Sequence, residues 1–324
     1  MSENERDARK GCAKVNEKDV LGRVRALFDE VPDPSNLVVA NGDDGAVFTA
    51  GENQVVVSTD MAVENVHFRL DWSSPKQIGQ KITAANLADI CAMGGWPEYL
   101  LVSLAFPQRF LPHLEQLALG IRDEARKVGA KVIGGDLSSG QQVVVSITAI
   151  GKTMRAIRRS GMNVGDRVFV SHLPGWSSAG LYALQKGLQG SEFAEAAIAQ
   201  HLEPQLDYQK YQSSFEKVHA ATDVSDGLLV DLGNLAASSK IRVDLDSKLM
   251  ERVPSFAELS KLAQKLEINP LDLILSGGED HVLLVASNQE ISGFHEIGVA
   301  IPGEGVFLDG KELTDKPSGF QHQW

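Results

Sequence analysis

The hydrophobic positions of this chain change period repeatedly, and each change marks an element. Glu17 to Phe28 places Val20, Leu21, Val24, Leu27 and Phe28 at helical spacing. Leu37 to Ala40 is a short apolar run that meets Asn41-Gly42-Asp43-Asp44-Gly45. Ala46 to Phe48 and Val55 to Ser58 read as strands parted by Gly51-Glu52-Asn53. A long helix is predicted over Pro75 to Met93, with Ser73 or Ser74 as its cap, proline at its start and Gly94-Gly95 after its end. Tyr99 to Phe106 is an apolar strand stopped by Pro107, and Leu111 to Val128 is helical up to Gly129. Lys131 to Ile133 is a short strand running into Gly134-Gly135-Asp136, and Val143 to Ile150 is a strong strand.

Charged residues then replace the apolar pattern over Gly151 to Gly165, which is where a domain boundary is expected. Asp166 to Val170 restarts as a strand, and a glycine turn with a helix follows over Gly175 to Leu188. Phe193 to Gln200, Tyr208 to Val218 and Gly227 to Ala237 have helical spacing. Arg242 to Leu245, Val282 to Ala286 and Gly298 to Ile301 read as strands. Strands interleaved with helices predict an α/β or α+β fold. There is no tandem repeat and no low-complexity segment.

A length of 324 residues implies about two domains at roughly 100–200 residues each. The formal charge of −12 argues against nucleic acid or an anionic membrane as partner. It leaves room for an anionic substrate, because bound cations reverse the local sign. The two cysteines, Cys12 and Cys91, make no disulfide framework and fit a reducing compartment. Met1 to Asn16 is polar and lacks an apolar leader core, and no apolar run is long enough to span a bilayer, so the cytoplasm is the expected location.

The candidate chemistry lies in acids placed at the ends of apolar runs: Asp43 and Asp44, Asp60, Asp136, Asp223 and Asp226, and Glu279 with Asp280. Asp89 differs in sitting inside a helix among Ile82, Ala85, Leu87, Ala88, Ile90 and Cys91, with Asn86 one turn earlier. An unpaired carboxylate there is costly. Acids that converge repel one another and lose hydration, so a cluster of them needs cations. Hard oxygen ligands suit Mg²⁺, and Mg²⁺ usually arrives with phosphates. No Walker A sequence follows Gly134-Gly135-Asp136. Each segment also has a plainer reading: Asp223 or Ser225 as a helix cap, Ser276-Gly277-Gly278-Glu279-Asp280 as a polar hairpin, His67 as structural, Arg159 as a solvated base.

Taken in order, the segments resemble the thiamine-monophosphate kinase family, within the superfamily of aminoimidazole ribonucleotide synthetase, selenophosphate synthetase and a hydrogenase-maturation protein. The matching pieces are Gly42-Asp43-Asp44, Ser58-Thr59-Asp60, Val66-His67-Phe68, Asn86 to Gly94, Gly134-Gly135-Asp136, Arg159-Ser160-Gly161, Asp223 to Leu228 and Ser276 to Asp280. The resemblance implies a two-domain α/β fold whose N-terminal sheet forms a barrel across a homodimer. It divides the chain into a polar extension (1–16), an ATP- and metal-binding domain (17–151) and a second α/β domain (152–324). It implies ATP-dependent phosphorylation of thiamine monophosphate to thiamine diphosphate. Asp44, Ser58, Thr59, Asp60, Asp89, Asp136, Asp223 and Asp226 would then hold several Mg²⁺ ions, with K⁺ a further candidate. Gly135, Asp136, Arg159 and Ser225 would contact ATP, Arg159 as a phosphate clamp, and no residue would act as a base. His67, Glu279, Asp280 and Phe320, with Trp324 as the alternative aromatic, would contact thiamine monophosphate. Asn41, Trp176 and His281 depart from the family pattern. The rival readings are an ATP-dependent cyclo-ligase of the same superfamily and a nucleotide-binding protein without catalysis.

Overall fold

The computed structural model describes residues 34–40 and 43–313. The polar extension, the helix expected over Glu17 to Phe28, Cys12, Asn41, Gly42, Phe320 and Trp324 lie outside the described residues.

The first half builds a six-stranded sheet from β1 (Leu37–Val39), β2 (Ala46–Ala50), β3 (Asn53–Val63), β4 (Trp96–Phe106), β5 (Lys131–Ser139) and β6 (Val144–Thr153). Their order is β1-β2-β3-β6-β4-β5. β3 and β6 pair antiparallel from Gln54↔Thr153 to Val63↔Val144, and β6 alternates strictly, with Val145, Ile147 and Ala149 buried. That is the period-2 signature of a sheet with one covered face. β4 and β5 are parallel, joined through α2 (Leu114–Val128). Gly129, at φ 76°, ends that helix in the left-handed conformation that glycine accepts without strain.

α1 (Pro75–Ala92) fixes the position of the site. Its start is locked by a capping box, Ser74 with Gln77, and by Pro75 in the first turn. From Ile78 to Ala92 nearly every residue is buried, so the helix has no solvent face. The reason is its place in the layers. One side lies on β3 and β6, and the other lies on the strands of the second half. α2 crosses it backbone to backbone at Gly79 and Gly120. A Cβ on Gly79 would come within 2.3 Å of the Leu117 carbonyl, and one on Gly120 within 2.0 Å of the Lys76 carbonyl.

The second half builds a seven-stranded sheet from β7 (Arg167–Val170), β8 (Ala220–Val224), β9 (Arg242–Leu245), β10 (Val282–Ser287), β11 (His295–Ile301), β12 (Gly305–Leu308) and β13 (Lys311–Glu312), in the order β13-β12-β9-β11-β7-β10-β8. β10 is buried along its whole length, as a strand covered on both faces must be. Its helices are α3 (Trp176–Gln185), α4 (Glu195–Leu202), α5 (Tyr208–Ser214), α6 (Leu228–Ser239), α7 (Ser247–Glu251), α8 (Phe256–Leu266) and α9 (Pro270–Ser276). One core joins α1 and the first sheet to Phe169, Tyr208, Tyr211, Leu283 and Val285, and a second core lies under α6 and α8.

Two local readings change. Gly134-Gly135-Asp136 does not end a strand, because β5 continues to Ser139 on hydrogen bonds to β4. Gly135 is needed where the chains run closest: a Cβ there would sit 1.9 Å from the Val102 carbonyl. Ser276 to Asp280 is not a hairpin turn but the loop between α9 and β10, because Leu273, Ile274 and Leu275 are helical behind an Asn269 cap.

Candidate active site

Strand periodicity decides which oxygens of Ser58-Thr59-Asp60 meet the long helix. Ser58 Oγ donates to Asp89 Oδ2 at 2.6 Å, and the Asp60 backbone N–H donates to Asn86 Oδ1 at 3.2 Å. Asn86 is held in turn by its amide donating to the Ile82 carbonyl at 2.8 Å. The carboxyls of Asp60 and Asp89 also influence each other's ionisation. The Thr59 hydroxyl turns the other way, to the Ile147 carbonyl at 3.1 Å and the Thr148 hydroxyl at 3.0 Å.

Asp44 arrives just before β2. Its Oδ1 accepts from Arg159 at 2.5 Å and from the Thr222 hydroxyl at 2.9 Å. Arg159 also donates its backbone N–H to Asp43 Oδ1 at 3.0 Å. Asp223, at the end of β8, lies 2.9 Å from Nδ1 of His281. Oxygens of Asp44, Asp89 and Asp223 all lie within 4.8 Å of one another. Burial, with Asp223 adding repulsion against the opposing pull of Arg159, pushes Asp44 up to about 7. Burial and then the charges of Asp60, Asp223 and Asp44 push Asp89 well above the usual carboxylate range. Burial would lower His281, but its contact with Asp223 outweighs this and raises it.

These observations are a test of whether a divalent cation fits. Asp44 Oδ2 is buried and has no hydrogen-bond partner among the described residues. Buried acceptors are otherwise nearly always satisfied. An unpartnered carboxylate oxygen beside two further carboxylates is a donor set for a hard cation such as Mg²⁺. The residues fit that ion.

A cavity of about 440 Å³ opens beside the cluster, walled by Asp60, His67, Phe68, Lys81, Ala85, Ser225, Asp226, Glu279 and His281, among others. The Ser225–Asp226 turn is held by Asp231, whose Oδ2 accepts the backbone N–H groups of both at 3.0 and 3.1 Å. Gly227 caps α6 without a side-chain bond, so neither Asp223 nor Ser225 is the cap. Glu279 and His281 reach the wall from left-handed backbone, at φ 63° and 52°. Their N–H groups are fixed on the Ser225 and Val224 carbonyls at 2.7 and 2.9 Å. Non-glycine residues there carry strain that the surrounding bonds must offset. Asp280, between them, is buried and faces away. Its two oxygens accept the Gly175 and Ser177 N–H groups at 2.6 and 2.9 Å, fixing the start of α3. Burial pushes it up to about 6. A second cavity, of about 350 Å³, shares His67, Phe68 and Glu279 with the first and adds Trp72, Leu181 and His201.

The structure therefore brings Asp44, Ser58, Asp60, Asp89, Arg159 and Asp223 together, with Ser225, Asp226, His67 and Glu279 beside them. His67 is oriented by accepting the Val63 N–H on Nδ1 at 3.1 Å. Gly135 and Asp136 lie elsewhere, on the exposed edge strand β5. β6 and β4 stand between β5 and β3, an offset of about 14 Å at ordinary strand spacing. Trp176 packs against the second core, away from both cavities. The sequence reading missed Lys81, Thr222, Asp231 and His201.

Comparison with known proteins supplies the lineage of this arrangement. Residues 42–153 match the family described as AIR synthase related protein, N-terminal domain, and residues 163–302 match the corresponding C-terminal domain. A thiamine-monophosphate kinase of Mycobacterium tuberculosis is 38% identical over 288 residues, covering 87% of this chain and 85% of its own. The chain belongs to the thiamine-monophosphate kinase family. Another member, from Aquifex aeolicus, is 34% identical over 289 residues, covering 87% of this chain and 92% of its own. In three dimensions, AaThiL complexed with AMPPCP and TMP matches 95% of this chain and 97% of its own at a TM-score of 0.86 and 30% identity.

Proposed function

We propose that this chain transfers the terminal phosphoryl group of ATP to thiamine monophosphate, giving thiamine diphosphate and ADP in thiamine diphosphate biosynthesis. The observation that carries the reading is the buried triad of Asp44, Asp89 and Asp223, drawn from both halves and left with an unpartnered oxygen beside the cavity. Family membership supplies the substrate.

The acceptor is a phosphate monoester, already ionised near neutral pH because its second pKa is about 6. No general base is required, and the task of the site is to bring two polyanions together in line. Asp44, Asp89 and Asp223 would hold Mg²⁺, with Asp60 and Asp226 near them. The ion supplies charge neutralisation and a template for the two phosphates. Ser58 and Asn86 orient Asp89 and Asp60 for this, and Thr222 and Arg159 orient Asp44. Arg159 would add a fixed cation for ATP, and Ser225, on the cavity wall, would contact the nucleotide. His67 and Glu279 face the acceptor at the join of the two cavities, while Asp280 acts from behind by fixing α3. Transfer is direct, without a phosphoenzyme; a phosphorylated Asp or His trapped during turnover would overturn that step.

The assembly we propose is a homodimer. β5 is exposed on both faces and at its free edge, with Val132, Ile133 and Leu137 uncovered. A long apolar edge of this kind is normally paired. Pairing would bring Gly135 and Asp136 to a subunit interface, and any contact of theirs with ATP would have to be made there. Among the described residues no helix is long and apolar enough to cross a membrane, and buried Cys91 is a free thiol, in keeping with a cytoplasmic enzyme.

ADP release with Mg²⁺, ATP and thiamine monophosphate tests the reading, with thiamine as control acceptor. Release that needs thiamine monophosphate supports it. ATP binding with no turnover of that acceptor would exclude it.

A further inference from the structure

The three carboxylates that converge from the two halves are not free to turn. Each has one oxygen engaged by a neighbouring side chain. Asp44 Oδ1 accepts from Arg159 and Thr222, and Asp89 Oδ2 accepts from Ser58. Asp223 is engaged by a ring: its Oδ2 lies 2.9 Å from Nδ1 of His281. An ionised carboxylate only accepts, so Nδ1 carries the hydrogen of that bond. Asp223 and His281 are both buried, which keeps water from competing for it.

His281 is held in place by its backbone. β8 and β10 pair antiparallel, with Leu283 opposite Asp223 and Val282 opposite Val224. Just before β10 the His281 N–H donates to the Val224 carbonyl at 2.9 Å. Its carbonyl accepts from the Tyr211 hydroxyl at 3.4 Å. Between these anchors the residue stands at φ 52°, in the left-handed region. A side chain is uncommon there, and such positions concentrate at functional sites.

Tying one carboxylate oxygen bears on which cation is held. Ca²⁺ takes about six to eight oxygens and readily accepts both oxygens of one carboxylate. Mg²⁺ keeps a smaller, near-octahedral shell. With Oδ2 engaged by His281, Asp223 has Oδ1 to offer, which suits the smaller ion.

We infer that His281 is a positioning residue: by holding Oδ2 it makes Asp223 a single-oxygen ligand and so sets the preference of the site for Mg²⁺ over Ca²⁺. The inference rests on the proposed kinase reading, in which the triad holds Mg²⁺. Hydrogen-bond partners behind a metal ligand typically account for roughly 10- to 100-fold in metal affinity.

Unfolding midpoints of the full chain, titrated with Mg²⁺ and separately with Ca²⁺ at about pH 7.5 without nucleotide, give an apparent affinity for each ion with no turnover. Wild type should be stabilised by Mg²⁺; a midpoint that Mg²⁺ leaves unmoved would overturn the cation reading and this inference together. His281→Gly keeps the left-handed backbone and removes the donor. Its Mg²⁺ affinity should fall by about 10-fold or more. Its Ca²⁺ affinity should fall by less than about 3-fold, because the released carboxylate can turn both oxygens to the larger ion. His281→Asn, which also accepts left-handed backbone and returns an amide donor, should restore part of the Mg²⁺ preference. With wild type stabilised by Mg²⁺, an unchanged ratio of the two affinities in His281→Gly, whether both hold or both fall, would overturn the role of His281 alone. Should His281→Gly fail to fold by circular dichroism, ¹⁵N-histidine NMR of wild type saturated with Mg²⁺ decides. Nδ1 of His281 should carry hydrogen there, and a bare Nδ1 would overturn the inference.

Discussion

The triad of Asp44, Asp89 and Asp223 makes the metal-free protein carry its own repulsion. Asp44 sits near 7 in the fold against an ordinary 3.8, and Asp89 and Asp60 are also raised. Between those values the folded state binds protons that the unfolded chain has released, so this cluster lowers metal-free stability as pH rises through the window. Protons and cations compete for the same oxygens. The Mg²⁺-induced rise in unfolding midpoint should therefore grow from about pH 5.5 to about pH 7.5, and a rise independent of pH would remove the triad as the binding site. Asp89→Asn should cut turnover by about 100-fold or more, the scale of losing one preorganised electrostatic group. Its midpoint in EDTA should be no lower than that of wild type, since the substitution deletes a repulsive charge while keeping the shape. Near-normal kinetics would remove Asp89 from the cation set.

At the scale of elements, the long helix was legible from Ser74, Pro75 and Gly94, and Asp89 stood out because its neighbours are apolar. Lys81 was not singled out because lysine at a helix start usually reaches solvent, and nothing local reveals that both sides of this helix are covered. Its i, i+4, i+8 relation to Ala85 and Asp89 was the available signal. β12, β13, α7 and α9 went unread because each spans seven residues or fewer, too few to show a period; α8 went unread although Leu259, Leu262, Ala263 and Leu266 recur at helical spacing. The run through Gly134-Gly135-Asp136 depends on β4 as partner, which no local pattern encodes. The α1–α2 crossing makes its own prediction. Gly120→Ala would put a methyl 2.0 Å from the Lys76 carbonyl, against backbone that cannot step aside. Overpacking of this kind costs about 1–3 kcal/mol. Urea unfolding should show that loss, and because α1 carries Asp89, turnover should fall with it.

For the whole molecule, the sequence exposed the convergence of acids only as an ordered series, and the fold turned it into a place. Asp44 and Asp89 come from the first half and Asp223 from the second. What lies at the edge of β5 is a question of assembly. Leu137 is 66% exposed there. If the proposed dimer forms through this edge, Leu137→Arg should give a monomer in sedimentation experiments where wild type gives a dimer, with an unchanged far-UV spectrum and reduced turnover. A wild-type monomer at micromolar concentration would refute the dimer.

A helix roofed on both sides has a further implication for anyone cutting this gene in two. Residues 34–153 made alone would bare the flank of α1 that faces Tyr211, Leu283 and Val285, and residues 154–313 alone would bare those side chains in return. Neither fragment should remain in solution by itself, whereas the two produced together should reassemble, and a split-reporter version of this chain would be switched on by the association of its own halves.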